Sequence, residues 1–281
     1  MNWMNGSHAH QLRWALTAVF ALGVLPTGAA VNVVAHYSLG EADGGAVAGA
    51  VAASGTTASV GATTLPTVGT PAYSTAGAPA PRPSRLSVQF NGSTDGFRTP
   101  AVLSTVTDNF GVEAWVRASS TAGNSQVVFN GNSSTSGWGL FRNGASWGFL
   151  YGGQVLAATP ASSVDLNTWT HLALVRSGGV STLYKNGVAV VSSATAPAVP
   201  AGAFAIGVGA PSNGEFFAGN IDEVRVFTFA AGQFATSDLL TGLSYNDPPV
   251  VVPVNAPLWL LAAVLALLGI GAGFIRSRRS A

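Results

Sequence analysis

The 281-residue chain contains no cysteine, which excludes disulfide staples, thiolate metal sites and cysteine nucleophiles together. Charge is nearly as scarce. Asp, Glu, Lys and Arg make up 8% of the residues, against roughly 25% in ordinary soluble domains. A coiled coil or long helical bundle needs dense Glu, Lys and Leu, and that composition is missing. A nucleic-acid binder needs a basic face, yet 12 basic and 11 acidic residues leave a net charge of +1, with Lys185 the only lysine. Four of the basic residues, Arg13, Arg276, Arg278 and Arg279, lie at the two ends, so residues 31–250 carry 8 basic and 11 acidic groups, net −3. What is abundant is apolar and turn-forming: 48% hydrophobic residues, 35 Gly and 15 Pro.

The ends read as membrane signals. Residues 1–30 have the form of an export signal: a polar start ending at Arg13, an apolar stretch over 14–25, then Pro26 and small residues at 28–30. An uncleaved N-terminal anchor is the other reading. Residues 258–275 run 18 positions without a charge, about 27 Å as a helix, and 276–281 form a basic tail expected to stay cytoplasmic. The expected order is signal peptide 1–30, a folded domain over 31–244, a Pro/Val-rich linker over 245–257, a transmembrane helix over 258–275 and the tail. A Pro-containing motif at 252–257, one hydrophobic helix and a closing Arg cluster resemble the sorting tails of PEP-CTERM and IPTL-CTERM proteins, although the Glu of the first form and the Thr-Leu of the second are absent. That resemblance implies an exosortase-like peptidase as partner and an exported, Gram-negative-type surface location. A plain membrane anchor is the simpler alternative.

The intervening domain reads as all-β. Residues 42–83 are dominated by Gly, Ala, Ser, Thr and Pro and predict long loops with one or two weak strands. Beyond them apolar residues alternate: Leu86, Val88 and Phe90, then Phe110, Val112, Ala114 and Val116. Further alternating runs fall at 126–130, 138–142, 146–151, 170–176, 181–185, 188–191, 204–207 and 221–227. Asn143-Gly144 and Asn186-Gly187 sit between such runs as hairpin turns. A short helix is expected over 231–240. About a dozen strands without a βαβ rhythm predict one domain, a two-sheet antiparallel sandwich.

Four ordered segments resemble the laminin-G-like, concanavalin A-like lectin/glucanase jelly-roll family: Gly111-Val-Glu-Ala-Trp-Val-Arg117, Thr168-Trp-Thr-His-Leu-Ala-Leu-Val-Arg176, Leu183-Tyr-Lys-Asn-Gly-Val188 and Gly219-Asn-Ile-Asp-Glu-Val-Arg-Val-Phe227. His36-Tyr-Ser-Leu-Gly-Glu41 resembles its opening strand. The fold hosts lectins, adhesion modules and glucanases, so it does not by itself choose a function. The resemblance implies a structural Ca²⁺ at the rim, held by Glu41 and Asp222 with Asp43 as a substitute. The alternative is that these acids make ordinary ion pairs, as Glu223 with Arg225 two positions on.

Catalysis finds little support in the residues. Glycoside hydrolysis needs two carboxylates flanking one bond, but Glu113 shares its strand face with Trp115 and Arg117, and alternation sends Asp222 and Glu223 to opposite faces. No Gly-X-Ser-X-Gly elbow occurs, and His171 reads as a packed strand residue. The aromatic residues are denser than a core of Val and Leu requires. Trp138 and Arg142 on one strand, and Trp147 and Tyr151 on the next, could form a sugar platform by ring stacking and hydrogen bonding; burial in the sandwich is the competing reading. The expected function is non-catalytic recognition of a glycan or surface protein, with no nucleic-acid partner. A structural adhesion component is the alternative and a glycan-active hydrolase the third reading. An exposed Trp138–Trp147–Tyr151 patch favours the first, and its burial the second.

Overall fold

A computed structural model describes residues 31–79, 85–153 and 157–241. The expected signal peptide, the linker, the apolar helix at 258–275 and the basic tail all lie outside the described residues. Among the described residues no helix is long and apolar enough to cross a membrane.

β1 (Val31–Tyr37) opens the domain, and the Gly/Ala-rich stretch follows with β2 (Thr56–Thr57), β3 (Thr64–Leu65), β4 (Thr67–Val68) and β5 (Ala72–Ser74). These four short strands exceed the one or two expected there. The regular part comprises β6 (Ser87–Asn91), β7 (Gly96–Thr99), β8 (Phe110–Ala118), β9 (Asn124–Asn132), β10 (Ser136–Asn143) and β11 (Ser146–Tyr151). It continues through β12 (Ala157–Ala158), β13 (Thr170–Ser177), β14 (Val180–Lys185), β15 (Val188–Ser193), β16 (Ala203–Ile206) and β17 (Ala218–Phe229).

The strands form two large antiparallel sheets, and β2 pairs with β3 in a separate two-stranded one. The first runs β15-β14-β13-β8-β17-β6-β5, and the second β12-β11-β10-β9-β16-β7-β4. β17 is long enough for two partners on one edge: its start pairs with β6, and its end with β1. Strand alternation explains the layering. Val112, Ala114 and Val116 of β8, Leu172 and Leu174 of β13, and Val224 and Val226 of β17 face the second sheet, meeting Leu140, Phe149, Phe204 and Ile206 in one core cluster. The sheets therefore pack as the expected sandwich.

Local chemistry sets the turns. Asn186 and Gly187 both take positive φ, 52° and 79°, as a two-residue type I′ loop requires. The other hairpin differs from expectation. Asn143 pairs with Ser146 as the last strand residue, and Gly144 (φ 55°) takes the first loop position with Ala145 after it, the arrangement of a type II′ loop.

The expected helix at 231–240 is absent. Only a single 3₁₀ turn occurs there, Thr236–Asp238. Gly232 is left-handed at φ 74°, and the segment lies flat on the outer face of the first sheet. Phe234 stacks on Phe227 and Phe229, and Leu239 buries beside them. Apolar burial against a sheet thus wins over weak helix propensity. Phe227 in turn lies over Gly111 of β8, where a Cβ would come within 2.2 Å of the ring. Gly111→Val should therefore lower stability by about 2 kcal/mol through overpacking, read as a reduced urea midpoint with an unchanged m-value.

Candidate functional site

β10 and β11 pair so that Trp138 faces Tyr151 and Arg142 faces Trp147. The four residues share one face, as alternation required, but that face is the inner one. Trp138 stacks on Phe110 of the opposite sheet at 4.3 Å between ring centres, and its indole N–H donates to the Val106 carbonyl at 3.0 Å. The Tyr151 hydroxyl is hydrogen-bonded to Ser181. Arg142 is 1% exposed and donates to the carbonyls of Ala122, Gly123 and Gly144, clasping two loops together. Burial pulls its pKa down from the ordinary arginine value. None of the four can stack against a sugar, which corrects the platform expected from sequence. The reason lies in what alternates with them. The outward positions hold Gly137, Gly139 and Gly148 with Phe141 as their one aromatic residue, so most of the aromatic area on these strands packs inward.

The three carboxylates expected at a Ca²⁺ site each accept hydrogen bonds. Glu41 Oε1 accepts the backbone N–H groups of Arg85 and Leu86 at 2.7 and 2.9 Å. Asp222 accepts the N–H of Ala78 at 2.9 Å and that of Glu223 at 2.8 Å. Asp43 Oδ1 accepts Thr56 Oγ1 at 3.1 Å and Thr57 N at 2.6 Å, while its Oδ2 accepts the Tyr73 hydroxyl at 3.0 Å. Among the described residues no three His, Cys, Asp or Glu side chains converge on one point. Each of the three carboxylates gathers the donors of a loop.

The ionic contacts also depart from expectation, and a β-bulge is the cause. The β17–β8 register shifts between Asp222 and Arg225, and Glu223 takes φ 50°. The bulge puts Asp222, Glu223 and Arg225 on the same outer face, where strict alternation would have separated the two acids. Glu223 then meets His36 of β1 at 2.5 Å rather than Arg225. Arg225 reaches Glu113 of β8 through Nε at 2.5 Å and also through Nη2. Glu113 further accepts His171 Nε2 at 2.8 Å and the N–H of Leu240 at 2.9 Å. Trp115 packs edge-on to His171, buried on this outer face rather than between the sheets.

Complete burial alone would push the Glu113 carboxyl up. The charge of Arg225, the hydrogen bond and charge of His171 and the Leu240 N–H more than offset that, leaving it below the ordinary glutamate range.

The chain's Gly-rich N-terminal stretch forms an open cleft of about 190 Å³. Asp43 and Tyr73 lie on its floor, both buried, and Gly44, Val51, Ser54 and Thr57 stand exposed around it. Its walls are tied down: Ala52 N donates to the Pro71 carbonyl at 2.9 Å and Tyr73 N to the Ala50 carbonyl at 2.9 Å. Burial, and then Asp43 beside it, pushes the Tyr73 phenol far up, so it remains a donor at neutral pH. Sequence reasoning missed this site because Tyr73 is an isolated aromatic in a stretch that reads as loop.

A family model described as Laminin_G_3, concanavalin A-like lectin/glucanases superfamily, matches residues 91–233. Similar solved structures include domain 4 of AbnA, a GH43 extracellular arabinanase from Geobacillus stearothermophilus, in complex with arabinotriose. It is 21% identical, with a TM-score of 0.49, over 75% of this chain and 97% of that one. The botulinum neurotoxin serotype D binding domain is 12% identical at TM-score 0.49, over 74% of this chain and 49% of its own. Trypanosoma rangeli sialidase in complex with sialic acid is 16% identical at TM-score 0.49, over 79% of this chain and 34% of its own. No curated protein sequence matches the chain.

Two outcomes test these assignments. Arg142→Met should cost roughly 2–3 kcal/mol in chemical denaturation, because three carbonyls lose a charged donor. Glu113→Gln should cost about 3–5 kcal/mol by leaving Arg225 buried and unpaired. The folded Glu113 pKa is depressed, so its contribution is complete above the unfolded value of about 4.3 and is lost as pH falls through the folded value. Wild-type Tm should therefore drop as pH is lowered from about 5 towards 2, and Glu113→Gln should flatten that drop.

Proposed function

The chain belongs to the concanavalin A-like lectin/glucanase superfamily, and from that premise we propose that it is a non-catalytic recognition module of the cell envelope that binds a glycan. The observation that carries the reading is the state of its carboxylates. Glu113, Asp222 and Glu223 are buried and hydrogen-bonded on one sheet face. A glycosidase needs an acid and a second carboxylate open to the same glycosidic bond. Buried carboxylates held by Arg225, His171 and His36 serve the fold instead. A recognition module needs no such pair; it needs a solvent-open polar surface on a rigid frame, and the cleft at Asp43 supplies one. The export-like composition of residues 1–30 and the apolar segment 258–275 with its Arg cluster support the envelope part of this reading, whether that tail is processed or simply anchors the chain.

Burial of Trp138, Trp147 and Tyr151 favours a second reading, a structural adhesion component with no small-ligand site. A glycan array probed with the full chain, run beside an assay for reducing ends released from the same glycans, separates the readings. Saturable binding without release is expected. Release of reducing sugar would establish an enzyme, and a blank array would leave the structural role.

A further inference from the structure

We propose that the cleft at Asp43 is a binding site for one neutral sugar ring, an inference that rests on the glycan reading above and gives it a location and a ligand class. Every described lining residue of the cleft falls between Asp43 and Tyr73, outside residues 91–233 that match the family. The site lies in the Gly- and Ala-rich N-terminal stretch.

Three features define what fits. The first is size. At about 190 Å³ the cleft lies below the roughly 300–1,000 Å³ of clefts for drug-sized ligands, so it accepts a single ring or the terminal unit of a chain.

The second is hydrogen bonding. An ionised carboxylate offers about four acceptor positions. Asp43 uses two at Oδ1, for Thr56 and Thr57, and one at Oδ2, for Tyr73. The remaining Oδ2 position suits a hydroxyl donor. Such a hydrogen bond to a charged acceptor is stronger than one between neutral groups. The donors already present disperse the charge, so no cationic ligand is required.

The third is the charge and shape of the wall. Among the described residues no Lys or Arg lines the cleft, and the Asp43 carboxylate repels anions, so sialic and uronic acids are disfavoured. Val51, 46% exposed at the rim, offers an apolar contact for the C–H face of a ring. Gly44 and Gly45 let backbone approach the ligand closely.

The test uses the full chain and ligand-observed NMR with D-glucose, D-galactose, L-arabinose, N-acetyl-D-glucosamine and sialic acid. Tyr73 ring resonances are followed in the same titrations. At Gly44 a Cβ meets nothing within 4 Å, and its φ is outside the left-handed region, so Gly44→Leu fills the cleft mouth without straining the fold. At least one neutral sugar should bind with a dissociation constant on the order of 1 mM, shift the Tyr73 ring, and lose at least tenfold in affinity in Gly44→Leu at unchanged Tm. Sialic acid should not bind. Neutral-sugar binding that leaves Tyr73 unmoved, or that survives Gly44→Leu, would overturn this site while keeping the glycan reading. Failure of every sugar here, alongside positive signals on the array, would overturn the single-ring assignment alone. Failure on both would remove the glycan reading and the site together.

Discussion

Glu113 is a fully buried carboxylate in a chain with few charges, and its partners come from every element around it. Arg225 arrives from β17, His171 from β13 and the Leu240 N–H from the segment that closes the domain. A buried unpaired charge costs several kcal/mol, so the three strands are constrained to one register. A slip of one residue would turn Glu113 into the apolar core and Val112 outward. Arg225 also donates to the Asp238 carbonyl and lies over the Phe227 ring, 4.9 Å from its centre. The ion pair and the outer apolar cluster therefore hold the closing segment jointly, and the absence of a helix there follows from that attachment.

The same economy of charge governs the loops. Asp95 accepts Thr70 N and Asn91 N, Asp43 gathers Thr56, Thr57 and Tyr73, Glu41 holds Arg85 and Leu86, and Asp222 holds Ala78. Each pairs a carboxylate with backbone or hydroxyl donors, interactions stronger than their neutral counterparts. A Gly- and Ala-rich stretch with little apolar area can be kept in place this way. Asp43 also lines an open cleft.

Much of the architecture was readable from residue order. Alternation at 110–117, 138–142 and 170–176 located strands, and shared-face assignments such as Trp138 with Arg142 and Trp147 with Tyr151 followed from the two-residue period. The Asn-Gly pairs marked both hairpins, although at 143–144 the loop is displaced by one residue. The segment 231–240 carries no signal that separates a helix from a flat segment, because its Phe and Leu residues suit an amphipathic turn as well as a segment lying on a sheet.

The sequence by itself determined an all-β, cysteine-free, weakly charged domain and the strand faces within it, since those depend on local period and composition. Only the tertiary structure decided which face is inside, because that depends on the opposing sheet: Phe110 stacks on Trp138 and makes a surface platform into core. Only it decided that Arg225 pairs with Glu113 and not Glu223, because one left-handed residue breaks the alternation on which any strand-face argument rests. The Asp43 cleft likewise joins residues 30 positions apart, brought together by loop hydrogen bonds that leave no periodic signal in the chain.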